Sequence, residues 1–176
     1  AFHLVPDHRA ATSRRYAKVA MFGLIAHGLL CGAPDVKAVW KRAAALSQTQ
    51  RKAIGLNVRN EHGRLVMPSY DAINNFINGV DPEALARALN SWLAAHQDKL
   101  PKSLALDGKD LGHLLGAIVT LCRHEDGRPV AMASYSGKKD DCELPVAQRL
   151  LRESGDFLEN ATVTADALHT QKKPIS

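Results

Sequence analysis

LPKSLALDGKD, residues 100–110, is the stretch whose reading decides the fold. Leu100-Pro101-Lys102-Ser103 ends a long run of helical patterning, and the apolar run from Leu104 to Asp107 is strand-like. Gly116–Cys122 and Pro129–Tyr135 read the same way, with Glu125-Asp126-Gly127 between them as a hairpin turn signal. A helix over about residues 144–154 puts Leu144, Ala147, Leu150 and Leu151 on its inner face, and Ala161–Ala165 is again strand-like. Strand, hairpin partner, strand, helix, strand is the opening of a mixed α/β sheet.

Upstream the pattern is helical. Tyr16–Cys31 carries apolar residues on a helical repeat that Gly32-Ala33-Pro34 stops. Asp35 is a fitting N-cap for a helix with Val36, Val39, Trp40, Ala43 and Leu46 on one face. A short helix over 47–56 and a polar loop over 57–67 follow. Pro68-Ser69 opens a helix aligned on Tyr70, Ile73, Phe76 and Ile77, closed by Gly79. Asp81-Pro82-Glu83 opens the last one, expected to bury Leu85, Leu89, Trp92 and Leu93. The expected fold class is therefore α/β: an all-helical domain over residues 1–99, then a mixed sheet with a helix over 100–176. Trp40 and Trp92, on apolar helix faces, are expected in the core.

At 45% hydrophobic and 23% charged residues, the chain is an ordinary globular one. Its longest apolar stretch, Val19–Ala33, is too short and too interrupted to span a bilayer, so a membrane is not an expected partner. The start has neither a signal-peptide pattern nor an initiator Met, which reads as cytoplasmic and clipped at the front. Cys31, Cys122 and Cys142 have neither zinc nor disulfide spacing, and the first two are expected as buried thiols. Residues 1–103 hold 14 Lys/Arg against 7 Asp/Glu, whereas residues 104–176 hold 9 against 11. That split suits a part that grips phosphates joined to a part that holds cations, although a basic surface also simply keeps a protein soluble.

Two carboxylates stand where chemistry is expected. Asp107 ends SLALD and Asp166 ends ATVTAD. If the two runs are neighbouring strands, both carboxylates emerge at one sheet edge, where open α/β sheets bind ligands. Their oxygens suit Mg²⁺ or Mn²⁺, and two such ions can activate the attacking oxygen and stabilise the leaving oxygen of a phosphodiester. Each aspartate also has a purely structural reading as a turn cap, which Asp107-Gly108 fits well.

LALDGK, GHLLGAIVT, KKDDCELP and TVTADALHTQK, in that order, resemble the insertion-sequence transposases of the ISAs group, also known as H-repeat-associated proteins. The basic start, the LLCGA turn and DPEALARALNSWL resemble that family's N-terminal associated domain. The resemblance implies that residues 100–176 are the first part of an RNase H-like DDE catalytic domain. It implies a polynucleotidyl transferase that cleaves and joins DNA at transposon ends with Mg²⁺ or Mn²⁺. Double-stranded DNA is the implied partner, a homo-oligomer is compatible, and the implied location is the bacterial cytoplasm at the nucleoid. Asp107 and Asp166 match the first and second catalytic aspartates and metal ligands. Glu143 stands at the start of the helix that in ribonuclease H presents a glutamate to the metals; a carboxylate there is equally favoured by the helix dipole alone. Three departures stand out: GKDLGHLL is shorter than the family's insert, DDCE replaces Ser-Asn-Glu, and the sequence ends ten residues after Asp166. The third family carboxylate is expected on a later helix, so these 176 residues alone are expected to be inactive.

Arg14, Arg15, Lys18, Lys41 and Arg42 form the expected DNA-facing surface of the helical half, with Lys109 and His169 as phosphate contacts nearer the catalytic residues. Lys109 reads equally as a solvated turn lysine, His169 as a packing residue, and His113 as structural. The alternative to a transposase is a non-catalytic, transposase-derived remnant that binds DNA or a protein. A metal nuclease of unrelated ancestry is a third reading.

Overall fold

A computed structural model describes residues 1–96, 102–110, 117–135 and 142–165. By spatial contacts the chain divides between Asp81 and Pro82 into two compact units, Ala1 aside.

The first unit, Phe2–Asp81, is helical. It contains α1 (Lys18–Leu30), α2 (Val36–Ala44), α3 (Gln48–Ile54) and α4 (Tyr70–Gly79). The expected caps form. Asp35 accepts from the Ala38 N–H at 2.7 Å, Ser69 accepts from Ala72, and Ser47 with Gln50 completes a capping box. α1 crosses α2 so closely that a Cβ on Gly28 would overlap Val39, backbone included. An aromatic chain threads the core: Phe2 stacks on Phe22 at 4.7 Å, and Phe22 meets Phe76 edge-on at 5.0 Å.

The long loop after α3 is tied down by side chains replacing a strand partner. Gln48 both donates to and accepts from the Leu65 backbone, at 3.2 and 2.7 Å. The Arg51 guanidinium donates to the carbonyls of Ala44, Leu46 and Leu65, each at 2.9 Å. Buried carbonyls lacking a secondary-structure partner are thereby satisfied.

The second unit begins with α5 (Pro82–Ala95). Its sheet comprises β1 (Ser103–Asp110), β2 (Ala117–Arg123), β3 (Pro129–Tyr135) and β4 (Thr162–Ala165), in the order β3-β2-β1-β4. β1, β2 and β3 are antiparallel neighbours, whereas β4 lies parallel to β1 after the crossover through α6 (Glu143–Glu153) and the short α7 (Gly155–Leu158). The core forms where α6 covers the sheet: Val146, Ala147 and Leu150 pack with Leu104, Leu106, Val119 and Leu121.

Three expectations are corrected here. α5, grouped by sequence with the first 99 residues, packs beside β3 and belongs to the sheet's unit. It buries Ala84, Ala86 and Ala88, while Leu85, Leu89 and Leu93 are only half-buried; small side chains let the helix approach the strand closely. Trp92 is not core: it is 47% exposed and stacks on His96 one helical turn later. Cys31 is exposed rather than buried, because it caps the end of α1, where the apolar run reaches solvent at Leu29 and Leu30.

Candidate active site

The site is built on the central strand. In β1, Leu104 and Leu106 point into the α6 core, and strand alternation turns Ala105, Asp107 and Lys109 to the other face. Asp107 and Lys109 are exposed there. Cys122 shares that face: burial pushes its thiol pKa up, and the nearby Asp107 charge pushes it further in the same direction.

The parallel register between β1 and β4 runs Ser103↔Thr162, Leu104↔Val163, Ala105↔Thr164 and Leu106↔Ala165. In sequence, the residue that follows the last pair is an aspartate each time, Asp107 within β1 and Asp166 after β4. Asp166, like His169, lies outside the described residues. Two bonds of Thr164 hold β4 just before that point, one to β1 and one to His124, which follows β2. Thr164 Oγ1 donates to the Leu104 carbonyl at 3.3 Å. His124 Nε2 lies 2.6 Å from the same oxygen. The hydroxyl has a single proton, already given to the carbonyl, so the imidazole is the donor in the second contact. His124 carried no signal in sequence, since its partner is 40 residues away.

Glu143 opens α6 and lies half-buried against β1. Its carboxylate occupies the space over Gly108, where any Cβ would overlap it. The Tyr135 hydroxyl, at the end of β3, donates to Glu143 Oε2 at 3.4 Å. Glu143 thus faces the sheet and not solvent. It approaches on the Leu106 face, next in sequence to Asp107 but on the opposite side of the strand. Among the described residues no group of three His, Cys, Asp or Glu side chains is placed to hold a metal ion.

The expected basic surface is partly occupied by internal contacts. Arg14 donates to the carbonyls of Asp7 and Arg9 and lies 3.6 Å from the Asp7 carboxylate. The Lys18 ammonium donates to the carbonyls of His3 and Val5, tying down the N-terminal segment. Arg15 is exposed, with its guanidinium 5.7 Å from the Tyr16 ring centre, and Lys41 and Arg42 are exposed on α2. No helix among the described residues is long and apolar enough to cross a membrane.

The family model described as DDE_Tnp_1-associated matches residues 1–93, more than half of the chain. No curated protein and no solved structure matches it. The chain belongs to the DDE_Tnp_1-associated family, and through it to the DDE-type transposases.

Proposed function

We propose that this protein is a DNA transposase of the ISAs group, cleaving and joining strands at the ends of its insertion sequence, and that the sheet is the opening of an RNase H-like catalytic domain. The observation that carries this reading is the β1/β4 register, whose last pair, Leu106 and Ala165, is followed in sequence by an aspartate on each side. The sheet order β3-β2-β1-β4 with a helical crossover into β4 supports it.

Asp107 and Asp166 are the proposed ligands for Mg²⁺ or Mn²⁺. Asp107 is an exposed oxygen donor of the kind these hard cations select. The cations would stabilise the attacking and leaving oxygens of an in-line displacement at phosphorus. Glu143 is proposed as a positioning carboxylate: held by Tyr135 and seated over Gly108 on the opposite side of β1 from Asp107, it fixes the strand that carries the metal ligand. Lys109, exposed on the Asp107 face, offers its ammonium to a neighbouring phosphate, and His169 would do the same beyond Asp166. Arg15, Lys41 and Arg42 are the exposed cations proposed to meet duplex DNA in the helical unit, where 11 Lys/Arg stand against 5 Asp/Glu over residues 2–81.

The test is nicking of DNA bearing the element's own ends by the intact gene product, with and without Mg²⁺. Asp107→Asn is expected to abolish nicking while leaving duplex binding intact and steeply salt-dependent, since neutralising phosphates releases counterions. Nicking that survives Asp107→Asn would refute the assignment. Binding to the ends without nicking under any metal would favour the non-catalytic, DNA-binding remnant.

A further inference from the structure

The helical unit contains a cavity of about 810 Å³ between its N-terminal segment, α2 and α4, within the size range of small-ligand sites. Its walls combine the half-buried Trp40 ring and the exposed His8 ring with three guanidinium groups, Arg9, Arg15 and Arg51, over a buried floor that includes Tyr16 and Phe76, and no carboxylate lines it.

Two of the rings are fixed by their polar ends. Tyr16 Oη donates to the Met67 carbonyl at 3.1 Å, and Trp40 Nε1 donates to the Pro68 carbonyl at 3.2 Å. Their flat faces are thus held without using polar atoms a ligand would need. The three cations differ in what is left over. Arg9 is neutralised by Asp7, with paired bonds of 2.9 Å, and lies 5.0 Å from the Phe76 ring centre. Arg51 bonds only to carbonyls, so its charge has no anionic partner there, and three of its five donors are used. Arg15 is exposed, with the Tyr16 ring beside it.

Flat aromatic walls select a planar group, and uncompensated guanidinium charge selects an anion, bidentate phosphate oxygens best of all. A nucleotide unit carries both, and base–aromatic stacking contributes without regard to sequence. A base inside duplex DNA cannot present its flat faces to side chains, whereas an unpaired one can.

We infer that this cavity seats an unpaired nucleotide of a DNA end, its base against Trp40 and its phosphate at Arg15 and Arg51. The inference rests on the DNA-processing reading above and adds to it a preference for DNA with a single-stranded extension.

The experiment uses the whole chain carrying Trp92→Phe, a change at an exposed position, so that Trp40 is the one fluorescent tryptophan. Blunt duplex, the same duplex with a short 3′ or 5′ overhang, and free deoxynucleoside monophosphate are titrated, following anisotropy and Trp40 emission. An overhang is expected to tighten binding roughly tenfold over blunt DNA and to quench Trp40, in keeping with the stacking of one base. Arg15→Ala should weaken binding of overhanging DNA several-fold more than binding of blunt duplex, which Arg15 also meets, and so remove most of that preference with the melting temperature unchanged. Equal affinity for blunt and overhanging DNA with unchanged Trp40 emission overturns this inference and leaves the DNA reading standing. Absence of binding to any DNA overturns both. Quenching by the free monophosphate but not by the overhang shows a mononucleotide site and also overturns it.

Discussion

Gly108 leaves β1 bare at the point where the Glu143 carboxylate comes in, and a Cβ there would overlap that carboxylate. Because the obstacle is the far end of a flexible side chain, Gly108→Ala is expected to fold. The strand gains roughly 0.5–1 kcal/mol on losing a glycine, about offsetting the displacement. Chemical denaturation should therefore show a change within about 1 kcal/mol. Nicking by the intact gene product should fall on the order of a hundredfold, as a small displacement of the metal ligand in the same strand would cause, and match Glu143→Gln. Unchanged nicking in both variants would remove Glu143 from the site. Asp7 is the residue whose charge matters to the helical unit. The Arg9 guanidinium bonded to it, more than any other group, lowers its pKa from 3.8 to about 2. A depressed folded-state pKa contributes stability above the unfolded value, and the contribution is lost as pH falls from about 4 to about 2. Asp7→Asn should thus cost about 1–2 kcal/mol near pH 6, allowing for solvent screening, and only a small fraction of that near pH 2. Parallel denaturation curves at the two pH values check the sign.

At the scale of elements, β3 is an edge strand whose outward backbone groups would otherwise be free. The Asn90 side chain on α5 answers both groups of Met132, its amide donating to the carbonyl at 2.8 Å and its oxygen accepting from the N–H at 2.9 Å. A helix side chain thereby closes the edge as a neighbouring strand would, and blocks pairing with another chain. Asn90→Ala is expected to cost about 1–3 kcal/mol, because two partly buried backbone groups lose their partners together. The same variant should aggregate faster on warming, read by light scattering beside the thermal melt. If stability and aggregation are both unchanged, the pairing is incidental.

At the scale of the molecule, the family match runs through residue 93, whereas spatial contacts divide the chain at Asp81/Pro82. The family boundary and the folding boundary therefore differ by most of one helix, since α5 (Pro82–Ala95) lies in the sheet's unit and all but its last two residues lie in the matched segment. A chain beginning at Pro82 is expected to unfold cooperatively, while one beginning at Leu100 loses the helix beside β3 and should expose hydrophobic surface or aggregate. Circular dichroism melts and dye binding distinguish the two. Equal behaviour would mean that α5 contributes nothing to the sheet.

Sequence by itself determined the elements, because each is set by near neighbours. Asp35, Ser47 and Ser69 cap their helices through residues three places on, and the period-2 and 3.6 patterns put Leu104, Leu106, Ala147 and Leu150 inside. It also singled out Asp107 and Asp166, although it ended the first strand at Asp107 and β1 runs on to Asp110. Only the tertiary structure decided what depends on distant partners. That β4 lies parallel to β1 and in what register is a pairing across about sixty residues, which local periodicity does not encode. The alliance of α5 with β3 was hidden because its buried alanines carry a weaker apolar signal than the leucines beside them. Arg14 and Lys18, basic in sequence and so read as DNA contacts, are held by backbone carbonyls that only folding brings near. A charge in a sequence has no partner until the chain supplies one in space, and for that reason the elements were legible while the assignments of individual cations were not.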